Sequence, residues 1–320
     1  LKWRRITTLR EVESFLPLTP EERRAFESVT RLYPFSSTEY YLRLAGRSPA
    51  VRRMLMPSLE EIDESLQGQA EEDPLREEEH TVLPYLIHKY PDRALIVTTN
   101  VCPALCRFCM RKRNWKRRPF TIGRKELSAI LDYIAGNREI RDVIVSGGEP
   151  LILPVHTLRE LILKLEEIEH VEVVRIGTRL PAVLPQALKG ELLKLLRQSK
   201  KVWVNTHFNH PDEITESAKS AVRRILKAGV PVNNQSVLLK GVNDSPTVLE
   251  RLLRELRKAR IRAYYLFQCD PVKGVLHFAT PAGEGLKIVR EVVSRLSPLF
   301  LPYYAVDGAK GKSLLHPTHL

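Results

Sequence analysis

From about Arg93 onward the chain alternates two patterns. Short apolar runs, ALIVTTN, DVIVSGG, VEVVRIGT, KVWVNTHF, PVNNQSVLL and AYYLFQCD, read as strands. Between them KELSAILDYIAG, LRELILKLEEI, PQALKGELLKLLRQ, ESAKSAVRRILKAG and TVLERLLRELRKA place leucines and isoleucines at helical spacing. Strands separated by helices imply parallel pairing through right-handed crossovers. The expected fold class is therefore α/β, a complete or partial barrel whose chemistry gathers at the C-terminal ends of the strands. Those ends carry Cys102, Gly147-Gly148-Glu149, Arg179, His207, Gln235 and Asp270.

The residues before this rhythm read differently. LTPEERRAFESVTRLY and PAVRRMLMPSLEEIDESL are helical and polar, and Thr19 with Pro20 and Glu22 predicts a capping box. The acidic stretch QAEEDPLREEEH reads as an exposed connection. The expected division is a helical extension over residues 1–85, a barrel over 86–296 and a C-terminal segment over 297–320.

Composition adds three constraints. No run of eighteen uncharged apolar residues occurs, and LKWRRITTLREVESF lacks the apolar stretch of a signal peptide, so a soluble cytoplasmic protein is expected. In a reducing compartment clustered cysteines point to metal ligation rather than disulfides. The net charge of +13 is concentrated partly in RKRNWKRRPF. That run reads either as a nucleic-acid patch or as solvated charge with a few arginines serving anionic ligands, and the second reading is preferred.

Three of the four cysteines lie in CPALCRFC, residues 102–109. A structural zinc site takes four ligands, usually as two pairs, and Cys269 lies far along the chain. A redox pair would leave Cys102 unexplained. Three thiolates on one short loop can instead hold three irons of a [4Fe–4S] cluster and leave the fourth open.

CxxxCxxC after the first strand and SGGEP after the second resemble the radical S-adenosylmethionine (SAM) superfamily. The resemblance implies a partial (β/α)6 barrel with a cluster on Cys102, Cys106 and Cys109. It implies SAM on the open iron, with Ser146, Gly147, Gly148 and Glu149 lining the methionyl end. HKYPDRAL, CRFCMRKR, VRIGTRLPAVLP, WVNTHFNHPDEIT, NQSVLLKGVND and CDPVKGVLHFATP, in that order, resemble the lysine 2,3-aminomutase family over almost the whole chain.

That narrower resemblance implies pyridoxal 5′-phosphate (PLP) as a further cofactor and hence a Schiff-base lysine. Lys312, followed by Ser313, matches best, with Lys310 as the alternative because the glycine-rich stretch before it is two residues shorter than usual. Arg93 and Lys89 match positions for the PLP phosphate, His207 and Gln235 match SAM contacts, and Arg111 matches the clamp on the substrate carboxylate. Asp270 and Asp307 match a pair that binds the distal ammonium of lysine, whereas Ala279 stands where an arginine is common. The implied reaction moves the α-amino group of L-lysine to the β carbon, starting with C–H cleavage by a 5′-deoxyadenosyl radical. Alternatives are the same migration on arginine or ornithine, the branch that makes (R)-β-lysine for elongation factor P, and a radical enzyme acting on RNA or protein. The implied partners are a free amino acid and an electron donor. Members with a longer tail use it in oligomer formation, and this sequence runs eight residues past Lys312, so a homo-oligomer is left open.

Overall fold

The structure is a computed structural model that describes residues 3–316. Ten strands form one sheet whose spatial order is the chain order. They are β1 (Thr81–Leu83), β2 (Leu86–Tyr90), β3 (Arg93–Val97), β4 (Asp142–Ser146), β5 (Val173–Thr178), β6 (Val202–Thr206), β7 (Val232–Leu238), β8 (Arg262–Gln268), β9 (Tyr303–Gly308) and β10 (Gly311–Leu314). From β3 to β9 every neighbouring pair is parallel, while β1, β2 and β10 join antiparallel at the two ends.

All six expected strands form, and the parallel set gains β9, a strand the sequence reading had placed in a plain C-terminal segment. Among the described residues no ladder joins β1 to β10, so the barrel is open there. The seam is nonetheless crossed by side chains. The Lys89 ammonium of β2 donates to the Gly308 carbonyl of β9, and the Tyr90 hydroxyl reaches Asp307 at 3.5 Å.

Alternation along the strands sets their two faces. In β4, Val143 and Val145 are buried and Asp142, Ile144 and Ser146 less so; in β5, Val174 and Ile176 are buried and Arg175 and Gly177 less so. Successive side chains point to opposite faces, so the valines and isoleucine pack outward under helices. Ile144, Ser146, Arg175 and Gly177 line the lumen. In the helix Pro246–Lys258, Leu249, Leu252, Leu253 and Leu256 make the buried stripe. Each such leucine contributes about 1.5–3 kcal/mol by leaving water. Ser245 caps this helix, and Pro246 occupies its first turn, where a missing N–H is harmless.

One expectation about helices changes. The segment PQALKGELLKLLRQ is not one helix: a short 3-10 turn, Pro185–Ala187, gives way to a helix from Glu191. Gly190, at φ 59°, reverses the chain between them. A further helix, Ala282–Arg295, follows the last of the expected strands.

The N-terminal helices belong to the same hydrophobic core, through Phe26, Tyr41, Leu42, Met54 and Leu55. Thr19 and Glu22 form the expected capping box. The acidic stretch corrects the sequence reading in part: Glu71, Glu72, Arg76, Glu78 and Glu79 are exposed as expected, but the connection is pinned to the barrel. Glu71 pairs with Val272 in a parallel bridge, and Glu77 is buried. Its carboxylates meet the basic run: Asp73 and Glu77 pair with Arg113, Glu77 with Arg111, Glu72 with Lys116 and Glu78 with Arg117. Lys112 is buried against Glu61. Cations held this way are not a free nucleic-acid patch.

Candidate active site

The cysteine loop leaves β3 and is fixed from two sides. The Leu105 N–H donates to Ser36 and the Arg107 N–H to Met54, tying the loop to the N-terminal helices. On the other side the Gly148 N–H donates to Thr99 and the Glu149 N–H to Val101, just ahead of Cys102. The two glycines are required by that approach. Gly147 has φ 130°, and a Cβ on Gly148 would lie 2.8 Å from the Asn100 carbonyl carbon. Their close contact is with the strand leading into the cysteines.

Beneath the loop a cavity of about 350 Å³ is lined by Cys102, Cys106, Cys109, Ser146, Gly147, Gly148, Glu149, His207, Gln235, Arg111, Asp270, Asp307, Lys312, Lys89 and Arg93. Every site residue expected from the sequence therefore borders one space. Lys310 does not; it sits exposed in the two-residue turn between β9 and β10.

The thiols share a crowded, half-buried corner of the cavity. Burial, then the neighbouring thiols, push Cys102 well above its ordinary range and Cys109 up to about 11. Arg179 donates to the Cys106 sulfur at 2.6 Å. Among the described residues no three Cys, His, Asp or Glu side chains converge on one ion. A cubane does not ask that of them, because each thiolate takes a different iron. Three thiols in one wall of the cavity, each free to take a different iron, fit a [4Fe–4S] cluster.

The SAM end is polar and mostly satisfied. The Thr178 hydroxyl donates to Glu149 Oε1 at 2.7 Å and the Arg179 N–H to Oε2 at 2.8 Å, while burial raises this carboxyl to about 7. His207 Nε2 is buried without a partner, its ring edge-on to Phe108. Burial lowers it to about 3, so it is a neutral ring able to meet a ligand group.

At the far end Lys312 stands opposite Asp307 across the hairpin, with its ammonium 3.9 Å from that carboxylate. Its Nζ also lies 4.3 Å from the Tyr265 ring and 4.6 Å from the Phe267 ring. Burial lowers its pKa, against the pull of Asp307. Arg93 stacks on Tyr90 at 4.6 Å and pairs with Asp92, and Lys89 is held by the Leu75 and Gly308 carbonyls. A buried amine with cations and aromatic faces around it fits PLP. Burial, then Asp307 and Glu77, raise Asp270 to about 7.

Several lining residues escaped the sequence reading. Arg175 pairs with Asp142 at 2.8 Å on the lumen floor, and only the β5 alternation hinted at it. Tyr90 lies between Lys89 and Arg93 in HKYPDR, where no local pattern marks it as a lining residue. Glu77 had no signal beyond the opposite charge of two distant runs. Arg111 reaches the cavity, but its Nε and Nη2 are taken by Glu77 at 2.5–3.1 Å.

Comparison with known proteins agrees with this geometry. Residues 96–256 match the Radical SAM superfamily. A putative L-lysine 2,3-aminomutase of Aquifex aeolicus is 46% identical over 99% of this chain and 86% of its own length. The L-lysine 2,3-aminomutase of Clostridium subterminale is 39% identical over 99% of this chain and 77% of its own. A glutamate 2,3-aminomutase of Clostridioides difficile is 36% identical over 100% of this chain and 77% of its own. Among solved structures, Streptococcus suis SuiB bound to precursor peptide SuiA superposes with TM-score 0.52 at 15% identity, over 85% of this chain and 55% of that one, a likeness of fold alone. With a cysteine loop, a glycine-lined strand end and a buried lysine around one cavity, the chain belongs to the lysine 2,3-aminomutase family of the radical SAM superfamily, whose cofactors are a [4Fe–4S] cluster, SAM and PLP.

Proposed function

We propose that the protein is an L-lysine 2,3-aminomutase, an isomerase that moves the α-amino group of free L-lysine to the β carbon. One observation carries the choice of substrate: Asp270 and Asp307 line the same cavity as Arg111. Two carboxylates for a distal ammonium and a guanidinium for the α-carboxylate suit a cationic amino acid. They would repel the distal carboxylate of glutamate.

When bound, the cluster with SAM supplies a carbon radical, and PLP carries the migrating nitrogen. The chain's part is holding and excluding. Cys102, Cys106 and Cys109 would hold the cluster, and Glu149, His207 and Gln235 the adenosyl cofactor. Arg93 and Lys89, with Arg175, would face the PLP phosphate. Lys312 would be the attachment point, since its lowered pKa raises the fraction of neutral, nucleophilic amine. Phe108, Val183, Val237 and Val272 line the same space with apolar surface that keeps water away. Asp270, whose carboxyl burial pushes up to about 7 when alone, would ionise once an ammonium arrives beside it.

The reading also implies a one-electron donor for the cluster, a cytoplasmic setting and, if copies associate, a homo-oligomer. Among the described residues no helix is long and apolar enough to cross a membrane. The test is an anaerobic assay of reconstituted protein with SAM, PLP and a reductant against a panel of free amino acids, products separated by chiral chromatography. β-Lysine as the main product is expected. Preferred turnover of ornithine, arginine or glutamate would reassign the substrate, and 5′-deoxyadenosine as the sole product would sink the proposal.

A further inference from the structure

Glu77 lies on the acidic stretch between the two ends of the proposed substrate site. Its carboxylate takes the Nε–Nη2 edge of Arg111, at 3.0 Å and 2.5 Å, and also accepts from Arg113 Nη2 at 2.8 Å. Asp73 sits 3.2 Å from the same Arg113 nitrogen. The side chains of Arg111, Arg113, Glu77 and Asp73 are all at most 15% exposed. Two guanidiniums and two carboxylates thus close on one another at the cavity wall. Six residues before Glu77, the same stretch is stitched to the loop after Asp270: Glu71 N–H donates to Pro271 O, and Lys273 N–H to Glu71 O, both at 2.9 Å.

We infer that Glu77 is a positioning residue for substrate recognition, and that the stretch from Glu71 to Glu77 sets the spacing between Arg111 and Asp270. The inference rests on the aminomutase reading above and deepens it. A guanidinium has two forked edges. Glu77 occupies the Nε–Nη2 edge and so leaves the Nη1 side for an incoming carboxylate. Arginine carries a large rotamer entropy, which a free Arg111 would lose on each binding event; a fixed one has lost it already. The charge of Glu77 is covered by two guanidiniums, so its repulsion of another anion is weak beside the orientation it provides. Seven residues of backbone, bonded at both ends, then hold the carboxylate reader and the ammonium reader in one frame.

The test uses the PLP-loaded, cluster-reconstituted protein without SAM, so that no turnover occurs, and reads ligand binding from the absorbance of bound PLP. Lysine is compared with 1,5-diaminopentane, which keeps both nitrogens and lacks the carboxylate. In Glu77→Gln the half-saturating lysine concentration should rise about tenfold or more. That for 1,5-diaminopentane should change less than about twofold, and Glu77→Asp should recover part of the loss. Glu78→Gln removes an equal charge from an exposed position nearby and should leave both ligands unaffected. Equal weakening for the two ligands would mean a merely structural role and overturn the inference. Tighter lysine binding in Glu77→Gln would overturn it too, making Glu77 a competitor. If the unaltered protein binds another amino acid in place of lysine, the substrate assignment falls, and the clasp is judged on that amino acid and its decarboxylated amine. If no amino acid perturbs the bound PLP, both readings fall together.

Discussion

Lys310 and Lys312 are separated by one glycine, yet they differ in everything that governs reactivity. One is exposed in a turn; the other stands in the lumen against Tyr265 and Phe267. Burial favours the neutral amine of Lys312, so this group loses its proton at lower pH than an ordinary lysine near 10.5. Borohydride-stable attachment of PLP should therefore survive in Lys310→Ala and vanish in Lys312→Ala. In the unaltered chain the attachment rate should rise with pH and level off below 10.5. Attachment surviving in Lys312→Ala and lost in Lys310→Ala would reverse the assignment. Sequence alone left the two lysines open because the shortened glycine stretch blurs the register. In the structure Lys312 pairs with Asp307 across the hairpin and lines the cavity, which supports Lys312 in the proposal.

At the scale of elements, the second strand end serves the first. Gly147 and Gly148 let β4 close on the chain between Thr98 and Val101, and so determine where Cys102 emerges. An alanine at position 148 meets backbone, which cannot yield as a flexible side-chain tip would. Gly148→Ala should cost about 1–3 kcal/mol from overpacking and should lower the iron retained after anaerobic reconstitution. Four irons per chain with an unchanged melting temperature would show that the loop does not depend on this contact. The strands and helices themselves were legible, since alternation and helical spacing are local signals. The segments misread were those whose state depends on distant partners. QAEEDPLREEEH has the composition of a solvated linker, and only the basic run thirty-odd residues later makes it a strap pinned through Asp73 and Glu77. β9 and β10 carry polar and glycine-containing sequence, and their sheet membership comes from pairing, β9 on β8 and β10 on β9, rather than from their own pattern. The cluster cysteines were legible for the opposite reason: their spacing lies within eight residues.

Across the whole molecule, the helical extension and the barrel meet in a buried ionic knot. Glu61 accepts from Arg107 at 2.9 Å and from Lys112 at 2.6 Å, and the side chains of all three are 0% exposed. Burial alone would raise Glu61, but Arg107 and Lys112 together bring it down to about 2. Arg107 sits between Cys106 and Cys109, so the knot reaches the cluster loop from outside the barrel. Glu61→Ala would strand two buried cations and should cost about 3–5 kcal/mol in denaturant unfolding; a cost under about 1 kcal/mol, typical of exposed pairs, would refute this account. The sign of the pH dependence follows from the lowered pKa. The stabilisation is complete above the ordinary value of 4.5 and is lost as pH falls through about 2.

The sheet's spatial order has a consequence for how the chain is made. Because β1 through β10 lie side by side in the order of synthesis, each new strand finds its neighbour already in place, and none must wait for a later one. The thiols emerge while most of the sheet is still unmade, whereas Lys312 arrives on the last strand described. Assembly thus has a direction: the metal-binding loop comes first, and the lysine that completes the cavity comes last.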